Sequence, residues 1–201
     1  MKKILLCTKY ARLGASSRLR LLQFLPYLEL NYSCQVNSLF SNKYVANIYS
    51  KTKQNKLAVL QSYVKRFFVV LFNNADIIVI EKELFPYLPY FFERICLYKK
   101  KYIIDIDDAI FHNYDYANNR ILKTFLGNKF NYLFRNADAI WSGSQYIYDY
   151  AMVLNPNKVK LMPTVVDLNK YNRQEHIKLD NREYVSIGWI GTTESSVYLY
   201  E

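Results

Sequence analysis

The amino-acid sequence predicts an α/β protein with a doubly wound parallel sheet of about six strands and helices on both faces. Short apolar runs alternate along the chain with longer segments of helical period, which is the pattern of repeated strand–helix–strand units. The 201 residues are 51% hydrophobic, so the chain is long and apolar enough to bury a core. This composition excludes an intrinsically disordered protein.

Six short runs of aliphatic and aromatic residues are expected to be the strands. They are residues 3–8, 34–39, 76–80, 102–105, 139–142 and 159–162. Five crossovers join them, and the right-handedness of such connections predicts a sheet wound in both directions. A single sequence does not encode the order of the strands in a readable form.

Five helices are expected between the strands. Ser16 or Ser17 is expected to cap the first, which runs to about residue 30 and is kinked by Pro26. The second covers residues 51–72, and one apolar face of it is expected to dock on the sheet. That face comprises Leu57, Leu60, Val64, Phe67, Phe68 and Leu71, with Lys53, Lys56, Lys65 and Arg66 elsewhere. The other three are a stretch opened by Pro86 and Pro89 and ending in Lys99, Lys100 and Lys101, then residues 118–135, then residues 145–154.

The residue composition of the chain becomes polar and charged after Pro163. Residues 1–166 are expected to form one N-terminal domain, and the polar stretch 167–182 to be a linker. Residues 183–201 look like the first strand and glycine-bearing turn of a second unit. Because a strand without partners cannot be a domain, we expect the sequence to be truncated.

Charge and cysteine content restrict the classes of partner and compartment. The formal net charge of +10 favours polyanions, anionic membrane surfaces or phosphorylated ligands, without choosing among them. The three cysteines are odd in number and widely spaced, so neither a disulfide framework nor a zinc knuckle is predicted. No apolar run is long enough for a signal peptide or a membrane span. A cytoplasmic protein is therefore expected, with any membrane contact peripheral.

In open α/β sheets, ligands bind beyond the carboxyl ends of the strands, so the turns that follow the strands are the candidate sites. The turn after the first strand contains Gly14, Ala15, Ser16 and Arg18 and opens a helix. A glycine lets the backbone come close to a phosphate or pyrophosphate, and the N-terminus of a helix and guanidinium groups attract its negative charge. The alternative is an ordinary turn with solvated arginines.

Two further turns contain groups that suit hydroxylated ligands. Glu81 and Glu83 follow the third strand, and their carboxylates can accept hydrogen bonds from sugar hydroxyls or simply be solvated. Ser144 follows the fifth strand and is predicted first as a helix cap and second as a ligand-binding residue.

A cluster of carboxylates, Asp105, Asp107 and Asp108, follows the fourth strand. Carboxylates this close raise one another's pKa values, so such a cluster usually serves a metal, a substrate hydroxyl or a cap. Asp107 and Asp108 suit magnesium, but no other residues clearly complete an octahedral site. We favour recognition of a polyhydroxyl acceptor by Asp107 or Asp108, with His112 as a proton acceptor or donor. A structural histidine is the alternative.

Taken in order, these segments resemble a known family. Segments 14–18 (GASSR), 105–110 (DIDDAI) and 137–144 (ADAIWSGS) resemble the N-terminal half of the retaining nucleotide-sugar glycosyltransferases of family 4. Segment 157–167 (NKVKLMPTVVD) resembles the last strand of that family's N-terminal domain, and 188–192 (GWIGT) the start of its donor-binding domain. The resemblance covers essentially the whole chain as a fragment.

The resemblance implies the GT-B architecture, in which two Rossmann-like domains face each other across a cleft. It implies transfer from a nucleotide-sugar donor to a polysaccharide-precursor or lipid-linked acceptor, with retention of configuration and without a resident metal or cofactor. Gly14 would then approach the donor phosphates, Asp107 and Asp108 would line the acceptor side, and Gly191 with Thr192 would begin the donor side.

The sequence departs from this family pattern on the donor side. The basic pair and the carboxylate motif expected there do not occur before Glu201, so at most trace transferase activity is expected.

Three other interpretations stay open. Residues 51–66 could rest on an anionic membrane or be an ordinary core helix with a solvated basic face. A basic nucleic-acid-binding protein fits the net charge, but no RNA- or DNA-binding motif occurs, so no nucleic acid is expected. A non-catalytic remnant is the third.

Overall fold

A computed structural model describes residues 1–169 and residue 188 of the chain. The chain divides into two compact units, Met1–Asp167 and Leu168–Glu201. The strand predicted at 184–190 lies outside the described residues except for Gly188.

Six strands of the described region form one parallel sheet, as predicted. They are β1 (Lys2–Tyr10), β2 (Tyr32–Phe40), β3 (Ile77–Glu81), β4 (Tyr102–Ile106), β5 (Ala139–Ser142) and β6 (Val159–Leu161). Their order is β2-β1-β3-β4-β5-β6, and every neighbouring pair is parallel. The chain moves outward from β1 to β2, then returns past β1 and continues the other way. Right-handed crossovers therefore place helices on both faces, which is a Rossmann-like doubly wound fold.

Nine α-helices connect these strands within the described residues. They are α1 (Ala15–Arg20), α2 (Leu25–Leu28), α3 (Asn42–Tyr49), α4 (Lys56–Phe72), α5 (Tyr90–Leu97), α6 (His112–Asp115), α7 (Arg120–Leu126), α8 (Lys129–Asn136) and α9 (Gln145–Leu154). The segment α1–α2 packs on one sheet face, against Ile4, Leu6 and Val79. Residues of α4, α5, α8 and α9 pack on the other face, against Leu5, Ile78 and Ile104.

Two predicted helices are subdivided in the structure and one is shorter than predicted. The first breaks at Leu21 into α1, a 3-10 turn and α2, because Pro26 cannot donate the hydrogen bond that would continue a single helix. The second begins at Lys56 rather than residue 51, since Asn55 caps it by accepting from the amides of Leu57 and Ala58, and α3 precedes it. The fourth divides into α7 and α8.

The predicted inward face of α4 is wrong for four of its six residues, since Phe67 and Leu71 alone among them pack against the core. Leu57, Leu60, Val64 and Phe68 were expected to face the sheet, but their exposed fractions are 62%, 60%, 47% and 52%. Arg66 is fully buried instead, and it donates hydrogen bonds to the carbonyls of Thr8 and Asn37 and to the Asn37 side chain. Because a buried guanidinium must be satisfied, these bonds orient the helix with Arg66 and Val70 inward.

Candidate functional site

The site lies where the sheet reverses its winding direction. Strands β1 and β3 are neighbours, yet the chain leaves their carboxyl ends toward opposite sides of the sheet. This divergence leaves a crevice beyond the strand ends, which is where α/β sheets bind ligands. The turns after β1, β3 and β4 meet there and contribute Ser16, Lys82, Asp107 and Asp108, which we term the switch-point cluster.

Lys82 joins the two aspartates of the cluster. Its Nζ lies 3.1 Å from Oδ1 of Asp107 and donates to Oδ2 of Asp108. From the opposite side, the Ser16 hydroxyl donates to Oδ2 of Asp107 at 2.7 Å. Ser16 from the turn after β1 and Asp107 from the turn after β4 were predicted as parts of separate sites, and the structure brings them together.

The charged side chains of the switch-point cluster differ in their exposure to solvent. The exposed fractions of the side chains are 7% for Lys82, 19% for Asp107 and 67% for Asp108. Burial disfavours the charged form of Asp107, but Lys82 and the Ser16 hydrogen bond outweigh it and hold the pKa of Asp107 below its usual value. Burial likewise opposes the charge on Lys82, yet Asp107 and Asp108 raise its pKa. The Lys82 ammonium therefore lies between the carboxyl groups of Asp107 and Asp108.

Glu81 ties the first turn to the end of β3. Its Oε2 accepts hydrogen bonds from the Ser17 hydroxyl at 2.6 Å and from the Lys9 amide at 2.8 Å, and burial raises its pKa. Ser17 in turn accepts from the Tyr10 amide, so neither predicted serine caps α1, whose N-cap is Gly14. Glu81 was predicted to bind acceptor hydroxyls; the structure places its carboxylate beneath the cluster, as part of its support.

Asp105 also supports the site from below. Arg20 binds it through Nε–Oδ2 at 3.1 Å and Nη2–Oδ1 at 2.5 Å, and Nη1 donates to the Met162 carbonyl. Burial would lower the pKa of Arg20, but Asp105 raises it. The three carboxylates that suggested magnesium are thus balanced by Arg20 and Lys82. Among the described residues, no group of three or more metal-ligating side chains is arranged around a common point.

Two glycines lie near the cluster at positions where packing leaves no room for a side chain. A Cβ on Gly143 would lie 2.7 Å from Cα and 2.9 Å from Cβ of Asp107, so the turn after β5 can pass Asp107 only without a side chain. A Cβ on Gly14 would meet Cβ of Tyr10 at 2.4 Å. The approach of Gly14 to a donor phosphate stays a prediction, because the close approach seen here is to Tyr10.

His112 is held in a separate aromatic cluster. Its Nδ1 lies 2.9 Å from Oδ1 of Asp115, its Nε2 lies 2.6 Å from the Tyr146 hydroxyl, and its ring stacks on Tyr116. Both ring nitrogens therefore have partners within this cluster. The described hydrogen bonds do not join His112 to Asp107 or Asp108.

Glu83 belongs to a buried network that sequence reasoning missed. Lys129 is 1% exposed and donates to Oε2 of Glu83 at 2.6 Å, while the Tyr114 hydroxyl donates to Oε1 at 2.8 Å. Glu93 lies 3.3 Å from Lys129 and accepts from the amides of Leu84 and Phe85. The network fixes the loop that begins with Lys82, so Glu83 acts on the site by positioning. In the sequence, the one sign of this network is Lys129, a lysine at an inward position of α8.

The remaining predicted site residues lie outside the switch-point cluster or outside the described residues. Ser144 caps α9 by accepting a hydrogen bond from the Ile147 amide, which confirms the first of its two predicted roles. Ala15 is exposed, and Arg18 donates to the Arg12 carbonyl. Gly191 and Thr192 lie outside the described residues.

Comparison with known proteins adds no identity. A scan of the chain against protein-family models gives no match, and a search of curated protein sequences finds none either.

Proposed function

We propose that this chain is the acceptor-binding domain of a nucleotide-sugar glycosyltransferase. The observation that carries the proposal is the switch-point cluster: the carboxyl groups of Asp107 and Asp108, the latter exposed, are held by Lys82 and Ser16 in the ligand crevice of a Rossmann-like sheet. Ionised carboxylates accept strong hydrogen bonds from hydroxyls, and a pair of them suits a ligand with adjacent hydroxyls. The resemblance to family 4 glycosyltransferases supports the same assignment.

In the proposed reaction, the acceptor hydroxyl oxygen forms a bond to the anomeric carbon of the donor sugar. The bond from that carbon to the diphosphate breaks, the nucleoside diphosphate leaves with the electron pair, and the departing diphosphate takes up the hydroxyl proton. Asp108 accepts the hydrogen bond of the incoming hydroxyl, and Asp107 orients a neighbouring hydroxyl. The depressed pKa of Asp107 suits an orienting role better than proton uptake.

The proposal gives no proton-transfer role to His112, since Asp115 and Tyr146 engage both of its ring nitrogens. The partners proposed are a nucleotide-sugar and a saccharide or lipid-linked acceptor. The nucleotide-sugar is a substrate, and the proposal includes no resident cofactor.

Acceptor binding tests the proposal directly. Saturation-transfer NMR of the 201-residue protein with a panel of hexoses, disaccharides and nucleotide-sugars is expected to show saccharide binding. Asp108→Asn is expected to weaken that binding roughly tenfold, because a charge-assisted hydrogen bond contributes about 1.5–3 kcal/mol. Asp149→Asn, which alters an exposed carboxylate on α9, is the matched control and should leave binding unchanged. Absence of saccharide binding, or full binding by Asp108→Asn, would reject the assignment.

A further inference from the structure

Helix α4 presents an apolar stripe outward, in addition to the apolar residues that it packs against the core. Leu57, Leu60, Val64, Phe68 and Phe72 recur at intervals of three or four residues, and their exposed fractions range from 47% for Val64 to 76% for Phe72. Residues at this spacing lie along one side of a helix. Phe68 and Phe72 stack on each other with ring centroids 6.0 Å apart. The stripe is continuous over the full length of the helix.

Helix α5 extends this surface. It packs on the same sheet face as α4, and Lys100 links the two by donating to the carbonyls of Val70 and Leu71 at the end of α4. Phe91, Ile95 and Tyr98 are 62%, 37% and 68% exposed. Because both helices cover the same face, their outward sides point away from the sheet in the same direction. We term these eight side chains the outer apolar face: Leu57, Leu60, Val64, Phe68, Phe72, Phe91, Ile95 and Tyr98.

The surroundings of the outer apolar face are basic. Residues 30–75 contain no Asp or Glu, and their five lysines, Lys43, Lys51, Lys53, Lys56 and Lys65, are all exposed. Lys56 and Lys65 flank the stripe on opposite sides of α4. Lys99 and Lys101 are exposed just beyond α5. A contiguous exposed apolar face that is rimmed by one sign of charge is typical of an interaction site, whereas single exposed apolar residues are ordinary.

We infer that the outer apolar face is a peripheral membrane-binding surface for a leaflet containing anionic lipids. Helix α4 would lie parallel to the membrane, with its aliphatic and phenyl side chains among the acyl chains and its lysines at the phosphate level. Its 17 residues span about 25 Å, and no helix in the described region is long and apolar enough to cross a bilayer. The inference does not depend on the proposed transferase activity.

Charge complementarity selects an anionic lipid surface over other occupants. A second copy of the chain would bring two basic rims together, which costs energy through like-charge repulsion. A nucleic acid would pair with the lysines but would leave the apolar centre of the face against a phosphate backbone. An anionic leaflet satisfies both the centre and the rim, since each basic residue near such a surface contributes about 1 kcal/mol.

The test is vesicle co-sedimentation of the 201-residue protein. We expect binding to vesicles of phosphatidylcholine mixed with phosphatidylglycerol, weaker binding as sodium chloride is added, and little binding to pure phosphatidylcholine. Phe68→Gln with Phe72→Gln is expected to reduce the partition coefficient at least tenfold, since burying each phenyl ring contributes about 1.5–3 kcal/mol. Lys56→Gln with Lys65→Gln should weaken binding roughly tenfold or more and flatten the salt dependence.

The matched control is Ile121→Gln with Phe125→Gln on α7. These side chains are 71% and 67% exposed, so the exchange removes similar apolar surface outside the proposed face. The control should bind vesicles like the unmodified protein, and circular dichroism checks that every variant is folded.

Several results would overturn the inference. They are no binding to anionic vesicles, unchanged binding by the phenylalanine variant, or equal losses in the α7 control. Vesicle-free dimerisation abolished by the phenylalanine exchange would instead assign the face to self-association. RNA binding that needs the lysines but not the phenylalanines would assign the basic rim to nucleic acid. Because the assay contains no sugar, its outcome is independent of the saccharide-binding test.

Discussion

Lys82 and Asp107 show how single residues build the crevice. Lys82 has a φ of 64°, in the left-handed region that costs a non-glycine residue about 1–2 kcal/mol. The chain holds this conformation at the end of β3 because its amide donates to the Asp105 carbonyl at 2.7 Å and its ammonium is bound by Asp107 and Asp108. Backbone strain at such a point is typical of sites where a side chain must be aimed accurately.

Gly143→Ala is expected to disturb the site without touching a polar group. The added methyl would overlap Cα and Cβ of Asp107, at 2.7 Å and 2.9 Å, and push the carboxylate away from Ser16 and Lys82. We expect the free energy of unfolding to fall by about 1–3 kcal/mol, measured by urea denaturation, together with weaker saccharide binding. Gly188→Ala is the control, since a Cβ there meets nothing within 4 Å. Equal stability of the two variants would show that Asp107 has room to move.

At the scale of elements, the loop from β3 to α5 is held by buried charges. Glu83, Glu93 and Lys129 lie within one network, and Glu93 accepts the amides of Leu84 and Phe85 that would otherwise be unpaired in the loop. Burial raises the pKa of Glu93 from 4.5 to about 7, although Lys129 opposes the shift. Between pH 4.5 and about 7, the folded protein therefore holds a proton on Glu93 that the unfolded chain releases.

Glu93→Gln is expected to change how stability depends on pH. Because the folded pKa of Glu93 is raised, its contribution is full below pH 4.5 and is lost as the pH rises to about 7 and above. Glutamine mimics the protonated form, so the variant should lack this fall in stability, which amounts to up to about 3 kcal/mol. Urea denaturation at acidic and neutral pH measures it.

The control for this prediction is Glu29→Gln, which alters an exposed glutamate before β2. It should keep the pH dependence of the unmodified protein. Other groups whose pKa values are shifted, such as Glu81, are present in all three proteins, so the difference isolates Glu93. Parallel pH profiles for Glu93→Gln and the unmodified protein would contradict the prediction.

At the scale of the whole molecule, the sheet and both apolar clusters fall within one unit. Both hydrophobic clusters consist of residues before 160, and the unit Met1–Asp167 contains all six strands. The segment after β6 is joined to this core by Arg20, which donates to the Met162 carbonyl at 2.5 Å and to the Thr164 hydroxyl at 3.3 Å. These contacts place the end of the folded core after Thr164 rather than at the end of β6.

A fragment of residues 1–167 is expected to fold by itself. It keeps the sheet, both clusters and the acceptors of Arg20, so circular dichroism should show one cooperative urea transition. A fragment ending at Leu161 loses Met162 and Thr164 as partners of a buried guanidinium. It should be less stable by about 1–3 kcal/mol. A broad, non-cooperative transition of the longer fragment, or equal stability of the two, would count against this account.

The sequence by itself determined the strands, their alternation with helices and the α/β class. Segments such as 139–142 and 145–154 were predicted with the bounds observed, because an apolar run or a serine cap acts within a few neighbouring residues. It also predicted that the turns after β1, β3 and β4 are candidate ligand sites, and the structure brings residues of these three turns together.

Only the tertiary structure decided the strand order, the side of α4 that faces the sheet and the partners of the carboxylates. Ser16 and Asp107 are 91 residues apart, and nothing local reveals that the switch point brings them within 2.7 Å. The hydrophobic pattern of α4 placed Leu57, Leu60, Val64 and Phe68 inward, but these side chains are exposed because buried Arg66 must reach carbonyl groups on β1 and β2. Local pattern reports which residues are apolar; which of them leave water depends on hydrogen bonds that form only when distant elements meet.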